Sequence, residues 1–437
     1  MTPRTGDEVD RSHLLRLAAA GVVVGAAAGL VGSALHIVLD HADALRAVVV
    51  AWSRAVPWIG WLAPVTLAAA AAFVARWLVR RFAPEAVGSG VQNVEAVVRG
   101  EVQPTGARVL PVKFVGGVLA IGAGLALGRE GPTVQMGATI GHLVGRAFRL
   151  RAADTAVLFA AGAGAGLAVA FNAPLAGAIF VFEELVRRFE LRVAIATLAA
   201  CSGGLAVMRA IVGNRTVFSV PALEVDLFPG YLLFFAFGGL IGLLGWAYIK
   251  AVVAGLDLLE RFRRVSPEVR AGVVGAIVGL LAFFVPQLVG GGETLIQDFL
   301  DSRHATGVLV AVFALRFLLG PLSYAPGLPG GLFAPLLVVG VIAGALFGQT
   351  AEALWPLLTT PLAAFAAVGM GALFAAVVRA PLTGIALVVE MTGATALFVP
   401  LLTACAAAIA VPALLGERPI YDTLRDRDAA RRTAGAK

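Results

Sequence analysis

A succession of long apolar runs, almost free of charge, limits this chain more than any other feature. Leu17 to Leu39 and Trp58 to Val79 are each long enough for the roughly 20 residues that cross a bilayer core. In hydrocarbon, backbone N–H and C=O groups must find partners within a helix or a closed barrel, and runs of this length predict helices. Of 437 residues, 59% are hydrophobic and only 14% charged, with a mean hydropathy of +0.90. A soluble domain carries about 25% charged residues, so a water-soluble globule is excluded. The net charge of +7 comes from arginines flanking apolar segments, which argues for a lipid bilayer and not nucleic acid as the partner. Arg76, Arg80 and Arg81 close the second run, and Arg418, Arg425, Arg427, Arg431, Arg432 and Lys437 fill the C-terminus. Positive-inside bias puts these ends, and both termini, in the cytoplasm of a multi-pass protein of the inner (plasma) membrane. The polar start, Met1 to Arg16, leaves no cleavable signal peptide to be expected.

After Val79 the apolar pieces become irregular, at about 109–127, 133–148, 155–170, 173–186, 193–212, 229–256, 270–289, 307–320, 333–355, 361–378, 382–391 and 396–415. Several are too short to span. Helices that stop at Gly and Pro near mid-bilayer mark transporter folds, where irregular backbone lines a cavity. An internal duplication organises them. Aligning Pro132 with Pro335 also aligns Gly128 with Gly331, Gly137 with Gly340, Gly141 with Gly344 and Gly145 with Gly348. At nearly the same offset, Gly162 and Gly164 match Gly369 and Gly371, Ala173-Pro174-Leu175 matches Ala380-Pro381-Leu382, Gly177 matches Gly384 and Glu183 matches Glu390. The chain therefore divides into a tail at 1–12, one membrane repeat at 13–212, a second at 213–424 and a basic tail at 425–437. Glycine at every fourth position after each proline predicts faces for close helix packing.

Within the first repeat, Gly128-Arg129-Glu130-Gly131-Pro132 sets a carboxylate among apolar runs. An ionisable group at such depth needs a partner, a water-filled cavity or a bound ion. Pro132 suits a first helical turn, and the glycines, Gly131 among them, leave N–H groups unshielded. That makes a helix N-terminus whose free N–H groups and dipole attract anions. The simpler alternative is a tight turn in which Glu130 pairs with Arg129. The second repeat carries Phe333 where the first has Glu130. If both helix ends aim at one place, Glu130 can occupy or vacate an anion seat that Phe333 borders and helps supply with N–H groups.

These residues carry a resemblance. Gly88-Ser89-Gly90-Val91-Gln92, Gly128 to Pro132, Gly331-Leu332-Phe333-Ala334-Pro335 and a late Tyr421, with the block from Phe171 to Glu184, resemble in order the signature regions of the CLC family of chloride channels and proton-coupled chloride exchangers. The resemblance covers nearly the whole chain. It implies an all-α polytopic fold of two inverted-topology repeats, with discontinuous tilted helices whose N-termini meet at a central anion site. It also implies a homodimer in which each subunit holds its own pathway.

By the same resemblance, Ser89 and Tyr421 would offer hydroxyls to a central chloride, and backbone N–H groups of Leu332 and Phe333 would complete the site with Glu130 and Gly131. Chloride accepts hydrogen bonds and must also leave, so donors without full charge suit it. Glu130 resembles the family's gating glutamate, which competes with chloride when ionised and swings away when protonated. Burial penalises its charged form, which makes protonation feasible near neutral pH. Glu184 resembles the internal proton-transfer glutamate, and the alternative for it is a helix-end charge paired with Arg187 or Arg188. The implied function is electrogenic exchange of chloride for protons, with a passive gated chloride channel as the alternative and a membrane-embedded enzyme using Glu130 as a remote one. A family-like exchange of two chlorides for one proton would move three charges and feel roughly 7 kcal/mol per 100 mV.

Some residues depart from the family pattern. Gln92 and Asn93 stand where Pro and Glu are usual, which removes a fixed φ beside Ser89. Pro326 replaces a small polar residue. Lys113 lies in an apolar stretch; it either raises the local positive potential, snorkels, or pairs with a carboxylate. Cys201 and Cys405 read as small core residues. His13, His36, His41, His142 and His304 lack metal-ligand spacing, so no metal or other cofactor is expected. There is no phosphate-binding loop of the Walker type, which argues against an ATP-driven pump. After Tyr421 no room is expected for the nucleotide-sensing domain pair of larger family members.

Overall fold

The computed structural model describes residues 11–214, 216–220, 230–355 and 360–435. The expected tails at 1–12 and 425–437 therefore lie partly outside the described residues. The first half comprises α1 (Arg11–Ala55), α2 (Leu62–Phe82), α3 (Val91–Val98), α4 (Val109–Gly122), α5 (Glu130–Ala147), α6 (Ala152–Phe171), α7 (Pro174–Phe180) and α8 (Leu191–Val212). A single π turn, Val181–Leu185, follows α7. The second half comprises α9 (Gly230–Arg261), α10 (Pro267–Phe284), α11 (Glu293–Asp301), α12 (Thr306–Tyr324), α13 (Phe333–Leu354), α14 (Leu362–Val378), α15 (Pro381–Thr392), α16 (Phe398–Leu414) and α17 (Ile420–Gly435). Among the described residues, nine helical segments are long and apolar enough to cross a membrane. Of these α6 and α13 are the most enclosed by protein, so they form the interior against which the outer helices pack.

Several boundaries differ from the hydropathy reading for physical reasons. The run ending at Leu39 continues as helix to Ala55, because the polar residues beyond it pair along the helix. His36 meets Asp40 at 3.4 Å and Asp43 meets Arg46 at 2.5 Å, spacings that support a helix. The short α3 and α11 and the polar α17 show no apolar run, so hydropathy passes over them. Finally, α17 runs unbroken across the expected start of the basic tail at 425, and Arg425 is buried. Residue 425, the expected start of the basic tail, is therefore not an end of the helix.

The duplicated blocks form equivalent structures. A Cβ added at Gly137 would meet Gly162 O at 2.1 Å, and one at Gly340 would meet Gly369 O at 2.4 Å. Thus α5 lies backbone to backbone on α6 and α13 on α14, as the fourth-residue glycines predict. Gly128 and Gly331 exchange two hydrogen bonds, Gly128 N to Gly331 O at 3.0 Å and Gly331 N to Gly128 O at 2.7 Å. The bridge is antiparallel. Equivalent residues that pair with each other in opposite directions place a two-fold axis between them, as two packed copies of one unit require.

The same axis relates Glu183 and Glu390, for which the sequence offered no role. Glu390 accepts from Leu175 N at 3.0 Å and Ala176 N at 2.8 Å. Glu183 accepts from Leu382 N at 2.9 Å and Thr383 N at 2.7 Å, and from Thr383 Oγ1 at 2.7 Å. Each carboxylate thus caps the opening turn of the other repeat's helix, where orphan N–H groups and the dipole favour an anion. Glu183→Ala leaves those donors without an acceptor and is expected to cost about 2–4 kcal/mol. Thermal unfolding in detergent checks this: an unchanged melting temperature for Glu183→Ala would refute the capping role. Cys201 and Cys405 are free and buried.

Candidate anion and proton site

Glu130 opens α5 and is 1% exposed. Its Oε1 accepts from Phe333 N at 2.9 Å and Ala334 N at 3.3 Å, so the carboxylate of one repeat sits on the helix N-terminus of the other. Among the described residues Oε2 has no protein partner. Close approach here demands glycine: a Cβ at Gly128 would lie 2.0 Å from Glu130 Oε2, and one at Gly331 would lie 2.3 Å from Oε1. The alternative pairing with Arg129 does not form. Arg129 turns away to Glu293 at 3.1 Å and to Ala170 O at 3.2 Å. Leu332 is the fully buried N-cap residue of α13, while the N–H groups bonded to Glu130 are those of the next two residues.

Phe333 forms the side wall. Its ring lies 4.7 Å from Phe374, 6.1 Å from Phe180 and 5.9 Å from Tyr421, and stacks on Phe171 at 6.5 Å. These contacts fix the first turn of α13, and with it the direction of the N–H groups. Tyr421, at the start of α17, is fully buried.

Ser89 is presented by a bend whose flanking residues, Gly88 at φ +63 and Gly90 at φ +89, occupy the left-handed region that glycine adopts without strain. Gly90 caps α3, and its carbonyl accepts from Asn93 N and Val94 N. The helix therefore starts without the usual proline: Gly90 supplies the turn that Gln92 does not. Lys113 supports the bend from below, donating to Ala86 O at 3.1 Å and Gly88 O at 2.7 Å. It is fully buried and meets no carboxylate among the described residues, so it neither snorkels nor forms an ion pair. Gly131 completes the approach, since a Cβ there would lie 2.5 Å from Ser89 Oγ.

Ser89 Oγ and Tyr421 Oη are both buried, and among the described residues neither meets hydrogen-bond geometry with a protein group. A buried hydroxyl left in that state costs about 1–3 kcal/mol. The Tyr421 ring lies against Phe333 and Ser89 lies against Gly131, so the two hydroxyl-bearing residues flank the facing helix ends. Two hydroxyl donors, beneath a helix end seating a carboxylate, form a set that suits a monovalent anion without binding it through a full positive charge.

Glu184 lies in the π turn after α7 and is 1% exposed. It meets Arg187 at 3.6 Å, whereas Arg188 pairs with Glu190. The expected alternative, an ordinary surface pair, holds for the partner and fails for the setting. Arg187 belongs to a larger network that sequence reading missed. Glu95 of α3, fully buried, meets Arg99 at 2.5 Å, Arg425 at 2.8 Å and Arg187 at 3.2 Å. Asp422 of α17 meets the same three, Arg425 at 2.7 Å, Arg99 at 3.2 Å and Arg187 at 3.4 Å. Burial opposes ionisation of Asp422, yet Arg187 and Arg425 hold its carboxyl below the usual range. The network ties Glu184, the helix after Ser89 and the helix carrying Tyr421 into one unit.

The chain is similar to known proteins along most of its length. Residues 71–413 match the model of a family described as voltage gated chloride channel. The H(+)/Cl(-) exchange transporter ClcA of Vibrio parahaemolyticus serotype O3:K6 is 40% identical over 93% of this chain and 88% of its own length. The protein of the same name from Citrobacter koseri is 37% identical over 97% of this chain and 91% of its own. Among solved structures, a slow cyanobacterial Cl-/H+ antiporter superposes with a TM-score of 0.91 at 33% identity, covering 96% of this chain and 99% of that one.

Proposed function

The chain belongs to the voltage gated chloride channel family, and on that premise we propose that it carries chloride across the membrane in exchange for protons. Relatives covering nearly its whole length are named as H(+)/Cl(-) exchange transporters. The observation that carries the reading is the seat of Glu130: an ionisable carboxylate occupies helix N–H groups that could equally hold an anion. Chloride and carboxylate then compete for one place. Protonation weakens the carboxylate's hold, chloride enters beside Ser89 and Tyr421, and the proton passes to or from Glu184. Each turnover moves net charge, so membrane voltage biases the rate.

The arginine-rich ends favour a cytoplasmic location for both termini. Arg80 and Arg81 end α2, and α17 docks by Arg427 to Asp257 and by Arg431 to Glu260 at the end of α9. Positive charge gathered at one end of the molecule is the mark of the cytoplasmic face, here of the inner membrane. The repeats are assigned to 13–212 and 213–424. Membership of this family also supports a homodimer.

The test is transport by purified protein in liposomes under a chloride gradient, with chloride efflux and external pH recorded together and valinomycin releasing the potential. Proton uptake against its gradient in fixed ratio to chloride is expected. Chloride flux without proton movement would make the protein a channel.

A further inference from the structure

At the arginine-rich end, a cavity of about 280 Å³ lies behind α3, just below the small-molecule range of roughly 300–1,000 Å³. Five arginines reach its wall: Arg76 of α2, Arg263 and Arg270 around the α9–α10 turn, and Arg427 and Arg431 of α17. The last two are neutralised, Arg427 by Asp257 at 2.6 Å and Arg431 by Glu260. The other three are within 4 Å of no carboxylate among the described residues. Glu268, which acts on Arg76, is taken by Arg80 at 2.6 Å. Among the described residues Arg76 Nε and Arg270 Nε are buried without a partner, and Arg270 donates from Nη1 to Leu259 O at 2.6 Å.

Glu260 and Asp428 also reach the wall, but the five arginines outnumber these two carboxylates, and a multiply charged anion would relieve the repulsion that remains. The planar guanidinium forks match the oxygens of a phosphate, which can accept two parallel bonds from each. A single-atom halide presents one acceptor to all the forks, whereas a phosphate presents a separate oxygen to each. We propose that this cavity binds a phosphate-bearing anion, either free in the cytoplasm or as the headgroup of a lipid. The site also touches the transport pathway. Gly88, Gln92 and Tyr324 line it, the Tyr324 hydroxyl accepts from Ser89 N at 3.4 Å, and Leu424 and Asp428 bring in the helix that holds Tyr421. A bound anion joins α2 and the α9–α10 turn to α17, restrains Tyr421 and slows chloride exchange; this consequence rests on the transport reading, whereas the binding does not.

Pyrophosphate titrated into the purified full-length protein in maltoside detergent, at constant ionic strength, is expected to bind saturably. Arg76→Gln and Arg270→Gln should each weaken binding about tenfold or more. Arg263→Gln, on the exposed rim, serves if those variants fail to fold, and Arg188→Gln, exposed and outside the cavity, should leave affinity unchanged. In nanodiscs, phosphatidic acid that competes with pyrophosphate in the wild type but not in Arg76→Gln assigns the site to a headgroup; no competition assigns it to a soluble anion. Absence of saturable binding, or equal weakening by Arg188→Gln, overturns the site. Binding that leaves chloride flux unslowed overturns the link to Tyr421 alone, and loss of all flux in untreated liposomes would fault the transport reading instead.

Discussion

Glu130→Gln is expected to abolish proton movement and to leave chloride flux in place. The amide keeps the volume of the carboxylate in a space that Gly128 and Gly331 shape around it, so the fold has no reason to change. It loses the charge, and with it the charge-assisted bonds to Phe333 N and Ala334 N. Hydrogen bonds to a charged group contribute about 1.5–3 kcal/mol, so chloride's access to that helix end should rise by roughly 10- to 100-fold relative to the ionised wild type. In the wild type, acidification removes the competing charge and flux should rise as pH falls. The variant has no charge to lose, so that dependence should flatten. Simultaneous chloride and pH recording in liposomes checks both parts. Sustained proton uptake by Glu130→Gln would overturn the assignment of Glu130 as the carrier.

Much of this arrangement was legible because it is encoded locally and then repeated. The Gly128–Pro132 motif and its counterpart at Gly331–Pro335 announce helix ends, and the Glu130-for-Phe333 exchange announces their asymmetry; the structure brings the two together as that comparison implies. What stayed hidden depends on contacts between distant segments. Glu183 and Glu390 look like stray charges until the repeats interlock. Lys113 finds backbone carbonyls, which leave no trace in side-chain patterns. Glu95 sits in a helix of eight residues, too short to register as apolar, and its three arginines come from α3, the π-turn end and α17. Hydropathy marks where hydrocarbon is, whereas this site is made where hydrocarbon stops.

Glu184→Gln carries the second large effect, and it decides between a proton relay and a structural charge. Glu184 is buried, with Oε1 unpartnered and Oε2 near Arg187. The amide preserves shape and can still accept from Arg187, but it cannot bind and release a proton at working pH. Arg187 is not orphaned by the change, because Glu95 and Asp422 also hold it. The cost to stability should therefore stay within about 1 kcal/mol, and chloride flux should persist. Proton uptake should vanish, since Glu184 is the group proposed to exchange the proton with Glu130. A helix-end charge would behave otherwise: neutralising it would leave the proton-to-chloride ratio unchanged. That ratio, measured for Glu184→Gln alone and together with Glu130→Gln, separates the two. Loss in each single variant, with no further loss in the double, places both carboxylates on one proton path. Proton transport that survives both changes refutes the path.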